Sequence, residues 1–167
     1  MLQQLVVDRA VSPVNGTAFA VTHALRESYS DGDDDELAEV ALREAALASV
    51  RLLAGAADEN AESGRSGQAP AAHPPRRAVL VAEVDDATPR PDLDDAVVRL
   101  SGPIGYQQVL AAYVDNEAAE SAVLAAIEAI DAADLGDEDA ELTVGDAQDH
   151  DLAWYATQEL PFLLDLL

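Results

Sequence analysis

Residues 110–144 read LAAYVDNEAAESAVLAAIEAIDAADLGDEDAELTV, and the reading of this stretch decides the fold. Leu110-Ala-Ala-Tyr-Val114 is short and apolar almost throughout, which predicts a buried strand. Asp115 and Asn116 then offer side-chain oxygens to the unpaired N–H groups of a helix start. From about 117 to 133, Ala119, Val123, Ile127 and Ile130 recur at three- and four-residue steps, so a helix buries that face. Gly136 lies in an acidic turn, and Glu141-Leu-Thr-Val144 reads as the next strand. Strand, helix and strand in so short a stretch have the form of a βαβ crossover, right-handed if the two strands are parallel.

Working upstream, Arg77-Ala-Val-Leu-Val-Ala-Glu-Val84 is apolar nearly without interruption and reads as a central strand. A loop with Pro89 and Pro91 separates it from a second strand, Ala96-Val-Val-Arg-Leu-Ser101. Gly102-Pro103 breaks the chain, and Ile104–Val109 reads as a short helix. The clearest helix runs from about 35 to 55, with Leu37, Val40, Ala41, Leu47, Val50 and Ala54 on one face. The acidic run Asp31–Glu36 before it complements its dipole, Glu39 precedes Arg43 by four residues, and Gly55 is its natural end.

Residues 56–76 hold Gly64, Gly67, Pro70, Pro74 and Pro75 and read as a flexible loop inside one domain. At the start, residues 2–9 form a short helix with Leu2, Leu5 and Val6 on one side. Thr17–Val21 follows as a strand, and Thr22 caps a helical turn through Ala24–Tyr29. At the end, Leu152–Ala156 fits either a strand or a continued helix. Thr157–Pro161 opens a helix, with proline tolerated in its first turn. The expectation is a single α/β (or α+β) domain over residues 1–167, with one mixed sheet of about five strands and helices packed mainly on one face.

Composition narrows the function. The chain carries 33 acids against 9 bases, a net charge of -24, and every base is arginine. Such a field repels phosphate backbones and anionic lipid surfaces, so neither a nucleic acid nor a membrane is an expected partner. Solubility in an alanine-rich, lysine-poor background accounts for the acidity, as does adaptation to high salt; mimicry of a phosphate backbone is a sharper reading. Absence of cysteine removes disulfides, thiolate metal sites and a cysteine nucleophile. The N-terminus lacks the basic and apolar regions of a signal peptide, and no apolar run is long enough to span a bilayer. A cytoplasmic protein is the expectation.

Few motifs carry chemistry. The Asp31–Glu36 run fails as a calcium loop: the sixth residue from Asp31 is Glu36, not glycine, and the twelfth is Leu42, not glutamate. Ala41-Leu42-Arg43-Glu44-Ala45-Ala46 has a faint Nudix likeness, but Leu47 and Ala48 stand where metal-binding glutamates are needed. The densest group of candidate ligands and acid–base groups is Asp149-His150-Asp151, with Glu159 nearby in sequence. A polar turn is the plainer reading of that group, because adjacent residues do not face one another. Glu159 can also cap locally or pair with an arginine such as Arg76 or Arg77. Trp154 and Tyr155 are candidate binding residues, since a large amphipathic pair can anchor a partner; core filling is the plainer expectation. His23 and His73 read as incidental. No metal site and no cofactor is called for.

Val14-Asn-Gly-Thr-Ala-Phe-Ala-Val-Thr22, Ala24-Leu-Arg-Glu27, Ala48-Ser-Val-Arg-Leu-Leu53, Ala96-Val-Val-Arg-Leu100, Asp149-His-Asp-Leu152 and Trp154-Tyr-Ala-Thr-Gln-Glu-Leu160 together resemble an uncharacterised actinobacterial protein family, a domain of unknown function. The resemblance implies no activity, cofactor or site residue. Members with this pattern open with a short strand and a Pro-Ala-Thr-Leu-like turn, whereas Met1 here falls inside the helix that follows. The expectation is a start site placed downstream or a truncated chain, with a sheet edge left open.

With a patterned core, a large charge and no catalytic constellation, the chain reads as a non-enzymatic acidic interaction or regulatory module. Its partner is a protein with a basic patch, and its oligomeric state is not legible. The alternative is a small metal-assisted or acid–base hydrolase using Asp149, His150, Asp151 and Glu159, with Tyr155 nearby.

Overall fold

The computed structural model describes residues 1–62 and 75–166. In chain order the elements are α1 (Leu2–Asp8), β1 (Ala10–Val11), β2 (Thr17–Phe19), α2 (His23–Ser28), α3 (Asp34–Glu62), β3 (Ala78–Ala82), β4 (Thr88–Pro89), β5 (Val97–Arg99), β6 (Ile104–Gly105), β7 (Val109–Val114), α4 (Glu120–Asp134), α5 (Glu138–Gln148), β8 (Ala153–Ala156) and α6 (Leu160–Leu166). The mixture of helix and strand is as expected, but the single five-stranded sheet is not. Three small sheets replace it, ordered β1-β6, β2-β5-β4 and β3-β7-β8. Pro89 lies within the two-residue β4, and Gly102-Pro103 separates β5 from β6.

The chain forms two compact units. The first comprises Met1–Ala45, Leu80–Ala112 and Tyr155–Leu166; the second is drawn from Ala46–Val79 and Tyr113–Trp154. In the first, β5 pairs antiparallel with both β2 and β4, so Arg99 lies opposite Thr17 and Thr88. One of its buried clusters joins Leu25, Leu37 and Ala96, with Phe19, Val21 and Val40 against them. Thr22 caps α2 as its sequence position implies, its hydroxyl oxygen accepting from Leu25 N–H at 3.1 Å. Gly16 adopts φ +68°, and a Cβ there would lie 2.5 Å from the carbonyl oxygen of Leu100, so only glycine fits.

The N-terminus of α3 is held by a reciprocal cap. Asp33 Oδ1 accepts from Asp35 and Glu36 N–H, while Glu36 Oε2 accepts from Asp33 N–H. The helix does not stop at Gly55 but continues to Glu62, so residues 56–62 are helix and not the loop expected. Ala56, Ala57 and Glu59 are adequate helix formers, and a glycine without φ > 0 need not end a helix. The remainder of that expected loop, including Gly64, Gly67, Pro70, His73 and Pro74, lies outside the described residues.

In the second unit Val50, Ala54, Ala119, Val123, Ala126, Ile130, Val144 and Ala147 form one core. The small alanines let α4 and α5 pack closely. Here the deciding stretch departs from its reading: residues 141–144 are helical, not a strand, so the crossover does not exist. Gly136 at φ +87° closes α4, and Asp137 accepts from Ala140 N–H at 2.9 Å to start α5. The burial of Ala140, Val144 and Ala147 follows helical spacing. The two strands flanking the 85–108 region are antiparallel neighbours. Glu83 N–H donates to Gln108 C=O and Asp115 N–H to Arg77 C=O, so β3 and β7 run in opposite directions. Residues 104–108 are β6 and a single 3₁₀ turn, and Val109 already begins β7, so the short helix expected there is absent. Among the described residues no helix is long and apolar enough to cross a membrane.

Candidate functional site

The candidate cluster Asp149-His150-Asp151 is positioned by a buried ion pair that the sequence reading did not single out. Arg77 precedes the apolar run of β3, and Asp115 follows that of β7. Their side chains are 1% and 0% exposed. Arg77 Nε donates to Asp115 Oδ2 at 3.0 Å and Nη2 to Oδ1 at 2.7 Å, a bidentate fork. The Arg77 backbone N–H also donates to Oδ2, at 2.7 Å. Two further donors reach past the carboxylate: Nη1 to Gln148 Oε1 at 3.0 Å and Nη2 to the His150 carbonyl at 2.8 Å. One guanidinium therefore ties together the end of β7, the last residue of α5 and the turn after it.

That clamp defines what the cluster can do. Asp149 closes α5, its N–H donating to Gly145 C=O at 3.0 Å, and His150 N–H reaches Ala147 C=O at 3.3 Å. The His150 backbone is held, its side chain is half-buried, and Asp149 and Asp151 are exposed. Among the described residues no group of three or more His, Asp or Glu side chains is arranged to hold a metal ion.

Glu159 lies in the other unit and has work of its own: its Oε2 accepts from Ala156 N–H at 2.8 Å, closing the turn that leads into α6. It is the local cap, not the partner of Arg76 or Arg77. Arg76 instead binds Glu120, Nε to Oε1 at 2.8 Å. Beside that turn the buried Thr157 donates its hydroxyl to Val109 C=O, and Tyr106 donates its own to Thr157 C=O. The Arg9 guanidinium sits 3.5 Å above the Tyr106 ring.

Trp154 corrects a plain expectation. It is 56% exposed and fills no core, while Tyr155 is half-buried. The two alternate along β8, and neighbours on a strand point to opposite faces. His23 is likewise exposed, 3.5 Å from Glu27 on the same helix.

A shallow, open cleft of about 360 Å³ lies at the start of α3, with Tyr29, Asp31, Glu36, Leu37, Glu39 and Arg43 on its walls. None of the candidate residues from the C-terminal cluster lines it. Small-molecule sites bury most of their ligand among apolar groups; this cleft is open and acid-lined.

The fold and the site thus describe a mixed helix–strand protein in which the polar network around Arg77 and Asp115 is a structural clamp. The chain belongs to a family of unknown function (DUF6912), whose model matches residues 1–164. Comparison with curated proteins and with solved structures brings no match.

Proposed function

We propose that this chain is a non-enzymatic acidic interaction or regulatory module of the cytoplasm, whose partner is a protein with a basic patch. The observation that carries the reading is where the charge lies. No lysine or arginine follows Arg99. In the second unit Arg51, Arg76 and Arg77 are each bound to a carboxylate, those of Asp134, Glu120 and Asp115. Glu128, Asp131, Glu138, Asp139, Glu141, Asp146, Asp149 and Asp151 are all exposed in a segment with no lysine or arginine of its own. Such a surface attracts a basic partner over several ångströms and speeds its encounter.

The hydrolase alternative has less behind it. Of its four residues, Glu159 is committed to a cap, Asp149 ends a helix, and the His150 carbonyl is tied to Arg77.

The test is affinity capture from cell extract on the immobilised chain. At about 0.1 M salt the screening length is about 10 Å, and at about 1 M it is about 3 Å. The expected outcome is recovery of a small set of proteins with basic patches at the lower salt and their release at the higher. A captured set no more basic than the extract, or one indifferent to salt, refutes the reading.

A further inference from the structure

The solvent side of α4 carries a pattern that charge alone does not require. Val123, Ala126 and Ile130 face the core. At 100° per residue, Leu124, Glu128, Asp131 and Leu135 fall within about 60° of one another on the opposite part of the helix. Leu124 is 52% exposed and Leu135 is 89% exposed. Leu135 is the residue that ends α4, at φ −91° and ψ 0°, close enough to helical geometry to stay on the stripe. Two leucines therefore bracket two carboxylates along a line of about 16 Å.

A leucine this open to water leaves much of its apolar surface uncovered in this fold, and its burial in a complex is favourable. We infer that this stripe is the docking surface of the module, and that its occupant is a basic amphipathic helical segment of another protein. The inference rests on the acidic-module reading and specifies its surface. Charge complementarity chooses the occupant. Arginines near the middle of a partner helix meet Glu128 and Asp131, while apolar residues about three turns apart cover Leu124 and Leu135. A second copy of this chain is disfavoured, because its own stripe brings like charges together.

The experiment uses the full chain and two fluorescein-labelled synthetic peptides of equal length and charge, one of leucine and arginine in amphipathic helical order, the other of serine and arginine. Anisotropy titration measures binding to the native chain, to Leu124→Ser/Leu135→Ser, to Glu128→Gln/Asp131→Asn, and to Leu142→Ser as an exposed control on α5. All four positions of the stripe are on the surface, so far-UV circular dichroism and the melting temperature report that the variants fold.

The leucine peptide is expected to bind the native chain more tightly than the serine peptide. Each double variant loses about tenfold in affinity or more, and the Leu142 variant keeps the native value. Equal binding of both peptides, or an unchanged affinity in the double leucine variant, overturns the stripe while leaving electrostatic recruitment intact. No binding of either peptide overturns both. A concentration-dependent dimer in sedimentation that the leucine variant abolishes assigns the stripe to self-association and overturns the proposed occupant.

Discussion

Replacing Asp115 with alanine removes the anion from an ion pair that solvent does not reach. Arg77 then keeps two neutral acceptors, Gln148 Oε1 and the His150 carbonyl, and loses both carboxylate oxygens. Its backbone N–H loses its acceptor as well. Removing one partner of a buried pair costs about 3–5 kcal/mol, because the remaining charge is left desolvated and uncompensated. A buried N–H without a partner costs about 1–3 kcal/mol on its own, and that cost overlaps the first. We therefore expect Asp115→Ala to lower the unfolding free energy by about 4 kcal/mol, a large share of the 5–15 kcal/mol typical of a domain.

The assay is urea unfolding followed by circular dichroism and by the fluorescence of Trp154, the one tryptophan. With a denaturant slope of about 1–3 kcal/mol per molar, the midpoint falls by more than about 1 M. The double variant Arg77→Met/Asp115→Leu is the control. It removes both charges together, and such replacements are often close to neutral. The reasoning fails if Asp115→Ala stays within about 1 kcal/mol of the native chain. It also fails if the double variant is as unstable as the two single changes summed.

Gly16→Ala is expected to destabilise by about 1–3 kcal/mol, since its φ of +68° and the Leu100 carbonyl leave no room for a methyl group. Gly145→Ala in α5 meets no atom within 4 Å and is expected to stabilise by about 0.5–1 kcal/mol; thermal melts of the two variants give the opposite signs. The Arg51 guanidinium beside Asp134 holds that carboxyl below its ordinary range, mainly through hydrogen bonds at 2.9 and 2.7 Å. A lowered folded-state pKa stabilises above the unfolded value of about 4 and ceases to as pH falls through the folded value. The stability difference between the native chain and Asp134→Asn, about 0.2–1 kcal/mol for so exposed a pair, is expected to be constant from neutral pH to about 5 and to vanish in stronger acid. A difference that grows on acidification contradicts the assignment.

Helical elements were the most legible part of the chain. Leu2, Leu5, Leu37, Ala41, Val50, Ala54, Ala119, Val123 and Ile130 bury as their spacing implies, while Val6, Val40, Leu47 and Ile127 at the edges of those faces are half-buried, because a 3.6-residue repeat commits a helix to one side. Thr22 and Asn116 cap where their side chains suggest. The strand reading of Glu141–Val144 failed because four residues with two apolar members fit either repeat. The true signal was longer: Asp137 as a cap, followed by Ala140, Val144 and Ala147. Two-residue strands such as β1, β4 and β6 left no trace, since a ladder that short exists only through its partner.

The candidate site divides in the same way. Local sequence determined the caps, the helix faces and an acidity that no lysine or arginine after Arg99 offsets, because each of these depends on neighbours within a turn or on a sum over the chain. Tertiary structure alone decided that Arg77 meets Asp115 across 38 positions, that Trp154 stays in water, and that the Asp149–Asp151 turn is clamped by its backbone. Those outcomes turn on which strand ends lie side by side. Coulomb attraction and hydrogen bonding act through space, and no spacing along the chain records which distant charges folding will bring within 3 Å.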